Sequence, residues 1–415
     1  MTGTPDEHSP AQHVAAELKR HGAGAAFAAL LRDVRIRVGQ GELGPLPVVL
    51  GLAAIWTYFE LQDSHFLTAR NLTNLVLQIS VSGTIAIGVV LVLLLGEIDL
   101  SVGSVAGATA AVLGVLLVND SWPWWLAIIA MLVVGTAIGA FQGAWFAIAG
   151  VPSFVVTLAG LLGWLGVQLH VLGDAGTLNV FDAHITDIAT TFLPKWIGWL
   201  LAIVAAAVYA TTRLAEVLRR RQHGLPARPP AIVAVQTVGI AAIFVGAVLV
   251  LNHAAGVPTA GLVLLVLVIV FDWLTRRTKF GRSVYAVGGN AEAARRSGIA
   301  VTRIRIVVFA LSGTMAAVGG LLATARLEAA STQTGGGTLL LEAIAAAVIG
   351  GTSLFGGRGT VWSALLGALV IGSVSNGLDL VGQPADVKYM VEGAILLLAV
   401  TIDALSRRRL AITGR

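Results

Sequence analysis

Glu97 and Asp99 stand where carboxylates are least welcome, so they are the first candidates for chemistry. They lie in Gly96-Glu97-Ile98-Asp99-Leu100-Ser101-Val102-Gly103-Ser104, between apolar runs at 91–95 and 105–118. Ionisable groups at membrane depth are costly and face a bundle interior, a cavity or a helix end. Gly96 and Gly103 let the backbone break, and Ser101 or Ser104 can cap the helix that resumes. Two roles fit. Either the acids cap and brace the next helix by facing its N–H groups, or they gate a path or relay protons.

The other polar residues carry weaker signals. Gln78, Ser82, Gln142, Thr157, Gln168, Ser312, Thr314, Ser375 and Asn376 fall within or at the ends of apolar runs. Each can contact a hydroxyl-rich solute or satisfy a neighbouring helix. Gln142, Thr157, Gln168 and Asn376 are kept as candidates for a substrate path. His170, His184, His223 and His253 are scattered without ligand spacing, so no metal site is expected. Glu342 and Glu392 are expected near external helix ends, within reach of water.

Membrane-spanning helices must position these residues. The chain is 56% hydrophobic and only 12% charged, against about 25% charged in soluble domains. It contains no cysteine, which excludes disulfides and thiolate metal sites. Apolar runs near 46–59, 75–95, 101–118, 125–149, 153–172, 195–212, 231–251, 257–274, 304–325, 339–352, 360–378 and 387–405 predict an all-α polytopic membrane protein. About 10–12 transmembrane helices are expected, some interrupted, with an internal pseudo-repeat. The organisation predicted is a cytoplasmic N-terminal arm (1–45), a transmembrane domain (46–405) holding a cytoplasmic loop at 275–303, and a basic tail (406–415). The apolar stretch at 22–31 lacks a cleavage site, so the arm is expected to stay attached. Trp122, Trp124, Trp125, Trp196 and Trp199 read as interfacial anchors.

Twelve spans put both termini on one side. On that side fall 23 of the 27 Lys and Arg residues, which predicts cytoplasmic termini. The same bias suits anionic lipid headgroups and accounts for the net charge of +5 without nucleic acid.

A second break echoes the first. Gly350-Gly351-Thr352-Ser353-Leu354-Phe355-Gly356-Gly357-Arg358-Gly359-Thr360 follows a span of only about thirteen residues. Short, glycine-interrupted segments in corresponding halves mark a translocation path, although close helix packing uses glycine as well. A third feature follows Phe280-Gly281-Arg282. Asn290 can cap a short helix with Glu292 in its first turn, Ala293 and Ala294 in its body, Arg295 and Arg296 near its end, and Gly298 just after Ser297 as terminator. So short a helix is marginal in water and must dock, on a partner or on the membrane surface.

Taken together, these stretches resemble the permease of bacterial ABC sugar importers, the ribose/xylose/arabinose/galactose-type group. The resemblance covers most of 70–405 and rests on 96–104, Val151-Pro152-Ser153-Phe154-Val155-Val156-Thr157-Leu158, 280–299, and 342–346 through 350–360 to Asn376-Gly377-Leu378. The extra basic loop and span near 213–252 look most like xylose-type members. The resemblance implies two permease copies in a lipid bilayer, ATPase subunits below that carry ATP and Mg, and an extracytoplasmic sugar-binding protein above. Gly289, Asn290, Glu292, Ala293, Ala294, Arg295, Ser297 and Gly298 match the family's coupling segment, which favours docking on the ATPase. Gly96, Glu97, Asp99, Ser101 and Gly103, with Gly350, Gly351, Gly356, Gly357, Arg358 and Gly359, match stretches that line or brace its pathway. One departure is Phe141-Gln142-Gly143-Ala144, where many members carry an Asn-Gly pair.

The chain has no G-x-x-x-x-G-K-[ST] phosphate loop, so ATP is expected to act on a separate subunit and this chain to catalyse no reaction. The alternative is a proton-coupled secondary transporter using Glu97 and Asp99. A passive channel is a third reading, disfavoured because it needs no docking helix.

Overall fold

The computed structural model describes residues 46–225 and 230–412. The N-terminal arm and the last three residues lie outside the described residues. Each of the twelve apolar runs is a helix, in order α1 (Leu46–Gln62), α2 (Ala69–Leu94), α3 (Val102–Val118), α4 (Trp124–Ala149), α5 (Ser153–Leu172), α6 (Ala183–Thr190), α7 (Lys195–Gln222), α8 (Pro230–Ala254), α9 (Thr259–Arg277), α10 (Lys279–Gly289), α11 (Ala291–Arg296), α12 (Val301–Leu327), α13 (Leu339–Ile349), α14 (Trp362–Leu380) and α15 (Ala385–Ile412). The three helices outside those runs are α6, α10 and α11. Among the described residues, 8 helices are long and apolar enough to cross a membrane.

Local chemistry sets the ends. Prolines at 123, 152, 194 and 258 stand immediately before α4, α5, α7 and α9, where a missing N–H costs nothing. The end of α2 is a Schellman motif. Gly96 N–H donates to Leu93 O (2.8 Å) and Glu97 N–H to Val92 O (3.2 Å), with Gly96 at φ +77. A side chain at Gly96 would be strained in that left-handed backbone.

The hairpin of α7 and α8 (193–257) forms a compact unit of its own, and 45–192 with 258–415 forms another. In this second unit α2 and α12 are mostly buried. Close backbone approach holds α12 on its neighbours. Gly135 of α4 meets the Gly313 carbonyl of α12, and Ser312 Cα lies 3.0 Å from where a Cβ on Gly88 of α2 would stand.

The structure adds a two-stranded ribbon that the apolar pattern does not predict. β1 (Thr177–Asn179) and β2 (Ala329–Ser331) pair antiparallel, with Leu178 opposite Ala330. From β2 the chain runs non-helically down α3 before α13 begins. Ala330 abuts Gly114, Thr334 O abuts Gly107, and Gly335 O lies 2.6 Å from a Cβ on Gly103. That descent covers about 16 Å of α3. It accounts for the short tenth span: α13 has only 11 residues, and a run of turns at 332–338 carries the chain along α3 before it begins.

Candidate coupling site and translocation path

The two glycine-rich breaks and the third informative segment, far apart in sequence, come together at one end of the bundle. The Phe355 carbonyl lies 3.3 Å from a Cβ built on Gly96, and a Cβ on Gly356 would stand 2.6 Å from Gly288 O and 2.8 Å from Gly96 N. Gly357 N–H donates to Leu94 O (3.0 Å), satisfying a carbonyl at the end of α2. A side chain at Gly288 would run into the Leu94 carbonyl. Three backbones therefore touch where only hydrogen fits between them. Tyr285 Oη of α10 donates to Gly359 O (2.9 Å). Burial pushes this phenol up, which keeps it a neutral donor. In the same loop Ser353 N–H donates to the Arg358 carbonyl (3.0 Å), and Ser353 Oγ donates to Asp403 Oδ2 of α15 (3.2 Å). Gly350 presses on the Ser363 carbonyl, tightening the α13–α14 turn, and Gly351 adopts φ +102.

The two acids are fully engaged. Asp99 is buried. Its Oδ1 accepts from Ser101 N–H (2.9 Å) and Ser101 Oγ (2.7 Å), and its Oδ2 accepts from Ser312 Oγ of α12 (3.1 Å). Asp99 thus shapes the start of α3 and ties it to α12. Glu97 accepts from Arg305 Nη2 of α12 (3.0 Å) and Ser153 Oγ of α5 (2.8 Å). The Arg305 guanidinium also sits over the Phe146 ring, 4.6 Å from its centroid, an arrangement that favours a cation. The first break is thereby bonded to α5 and α12. Ser153, Arg305 and Ser312 were not singled out with the acids. No local pattern could pair them, since the partners lie 56, 208 and 213 residues away.

Local geometry in the third segment follows its sequence. Asn290 Oδ1 accepts from Ala293 N–H (2.9 Å), capping α11. Gly298, at φ +84, closes it with a second Schellman motif, its N–H donating to Arg295 O (3.0 Å) while Ile299 N–H donates to Ala294 O (3.1 Å). Ala294 is buried on the bundle, whereas Asn290, Glu292, Ala293, Arg295 and Ser297 face outward. Glu292 pairs with Arg296 (3.2 Å) and Arg295 (3.6 Å) on the exposed side. Gly289 touches Gly357, its Cα 3.1 Å from a Cβ there. The stretch before the cap, expected as loop, is the helix α10. Beside it a cleft of about 580 Å³ is lined by Arg276, Arg282, Tyr285 and Arg358.

The four path candidates spend most of their hydrogen bonds internally. Gln168 Nε2 donates to Ser331 O and Thr334 O (both 2.8 Å), satisfying the non-helical chain on α3. Thr157 Oγ1 donates within α5 to Ser153 O (3.0 Å). Asn376 Oδ1 accepts from Asn71 Nδ2 (2.8 Å), and its Nδ2 donates to Gln78 Oε1 (3.5 Å). Only Gln142 keeps a buried oxygen without a donor, close to Gly160 and the equally unpartnered Trp164 Nε1. One expectation is overturned. Glu392 is 4% exposed, not water-washed, because it lies on the inward face of α15.

Interrupted helices, a non-helical stretch packed along α3 and an outward-facing capped helix fit a polytopic transport permease. The chain belongs to the permease family described as branched-chain amino acid transport system / permease component, whose model matches residues 71–400. It is 39% identical over 363 residues to the xylose transport system permease protein XylH of Escherichia coli, covering 87% of this chain and 92% of the relative. The corresponding protein of Haemophilus influenzae is 38% identical over 367 residues, covering 88% and 96%. The ribose import permease protein RbsC of Escherichia coli is 33% identical over 339 residues, covering 82% and 87%. No solved structure matches the chain.

Proposed function

We propose that this chain is the membrane-spanning subunit of an ATP-binding-cassette importer, carrying a xylose-like pentose or related monosaccharide. The observation that carries the mechanism is the meeting of Gly96, Gly288 and Gly356 one helix away from the capped, exposed α11. ATP with Mg binds and is hydrolysed on a partner ATPase, and α11 docks in that partner. Two routes lead from α11 into the bundle. Forward along the chain, α12 carries Arg305, which grips Glu97 in the first break. Backward, α10 presses Gly288 on both breaks. Movement of α11 therefore reaches α2, α3, α13 and α14 together, the coordinated shift that alternating access needs.

The importer reading also implies a second permease copy, an extracytoplasmic sugar-binding protein above, and cytoplasmic termini in the cell membrane. A proton-coupled mechanism is not favoured, because Glu97 and Asp99 are already supplied with donors. The test is reconstitution of the permease alone and with its ATPase and binding protein. Uphill, ATP-dependent xylose uptake is expected only from the complete set. Accumulation by the permease alone, abolished by a protonophore, would count decisively against it.

A further inference from the structure

Glu392 is the buried acid that the coupling geometry leaves unused. On α15, Val391, Ile395, Leu396, Ala399 and Val400 pack inward, and Glu392 shares that face at 4% exposure. Neither carboxylate oxygen has a hydrogen-bond donor. The charges acting on it are Glu342 in the first turn of α13, Asp379 of α14 and Lys388 one turn earlier on α15, with the Ser375 hydroxyl of α14 beside it. Arg326 at the end of α12 acts on Glu342 and Asp379. These neighbours do not satisfy it. Lys388 is bound to Asp379 (2.8 Å), and Glu342 takes the Thr338 hydroxyl (2.7 Å).

An unpaired buried carboxylate is among the costlier features a membrane protein can carry and marks function. Its position adds to that. Glu342 opens the half-helix α13, just after the non-helical descent along α3, and such junctions are where transporters hold their solutes. A buried carboxyl keeps an acceptor oxygen in either protonation state, and with a second acid and a hydroxyl close by it suits a neutral molecule with several O–H donors. A metal ion is a poorer fit, as no group of three ligating side chains exists among the described residues.

We infer that Glu392, with Glu342 and Ser375, forms a subsite that accepts hydrogen bonds from hydroxyls of the translocated sugar. The inference rests on the importer reading. Its test uses the complete importer in proteoliposomes with radiolabelled xylose. Absence of ATP-dependent uptake in the wild type defeats the importer reading itself. With that uptake present, Glu392→Leu is expected to lower it about tenfold or more, as loss of a buried hydrogen-bond acceptor does. Permease thermal stability should hold or rise, because an unpaired carboxylate is removed. Glu392→Gln, which keeps one acceptor oxygen, should fall between. Because the chain has no cysteine, Ser375→Cys supplies a single thiol, and xylose during turnover should slow its alkylation by a membrane-permeant reagent. The subsite is overturned if Glu392→Gln and Glu392→Leu both transport like wild type. It is equally overturned if Glu392→Leu lowers stability and xylose gives no protection at position 375, the pattern of a purely structural acid. Should Glu392→Leu fail to insert, the Glu392→Gln uptake and the protection at position 375 decide.

Discussion

Arg305 shows how one residue can turn a family motif into a mechanism. Its side chain is 24% exposed and that of Glu97 is 17% exposed, so removing either partner strands the other half-buried. Arg305→Ala is expected to cost about 1–3 kcal/mol, read by thermal unfolding, and to depress ATP-driven uptake. Removing both residues should cost less than the two single losses summed; strict additivity would mean the pair does not communicate. Gly288→Val should be harsher for transport. Its side chain must displace the Leu94 carbonyl, with overpacking of about 1–3 kcal/mol, and uptake should collapse in protein that still inserts. Normal uptake by Gly288→Val would show that this contact is not part of the path from α11.

At the level of elements, α2 and α11 end in the same motif, each closed by a left-handed glycine with matching carbonyl partners. Their tasks differ. The α2 cap ends a buried helix inside the bundle, whereas the α11 cap ends a helix whose polar face is free. Asn290→Ala removes the cap of α11 at about 1 kcal/mol. It should weaken binding of the ATPase while leaving the bundle's own melting nearly unchanged, because α11 contributes little besides Ala294 to the core. Gly298→Pro should abolish transport-coupled ATP hydrolysis in a folded, inserted permease. Co-purification with the ATPase and a coupled hydrolysis assay read both. Retained coupling in Gly298→Pro would remove α11 from the mechanism.

For the whole molecule, the testable quantity is sidedness. The lack of cysteine provides a clean background. Glu292→Cys on α11 and Asp120→Cys in the turn between α3 and α4 should react with an impermeant maleimide from opposite faces of sealed vesicles. Right-side-out vesicles should label position 120 and spare position 292. The reverse pattern would invert the orientation drawn from the basic residues and place the docking helix away from cytoplasmic ATP.

The sequence by itself determined the twelve apolar helices and the ends of α11, though not α6 or α10. Those features depend on runs of apolar residues and on caps within five residues, and such interactions are local. The twelve runs and the Asn290 and Gly298 caps could therefore be read directly. It also determined the family, through four stretches in a fixed order. Tertiary structure alone decided what those stretches do to each other. That Gly96, Gly288 and Gly356 share one contact, that Arg305 rather than water answers Glu97, and that Glu392 is sealed from solvent all depend on helix rotation and on pairings across dozens to hundreds of residues. The short tenth span shows the division. Its length was plain in the chain, but its cause, a run of turns lying along the glycines of α3, exists only once α3, α5 and β2 have packed together.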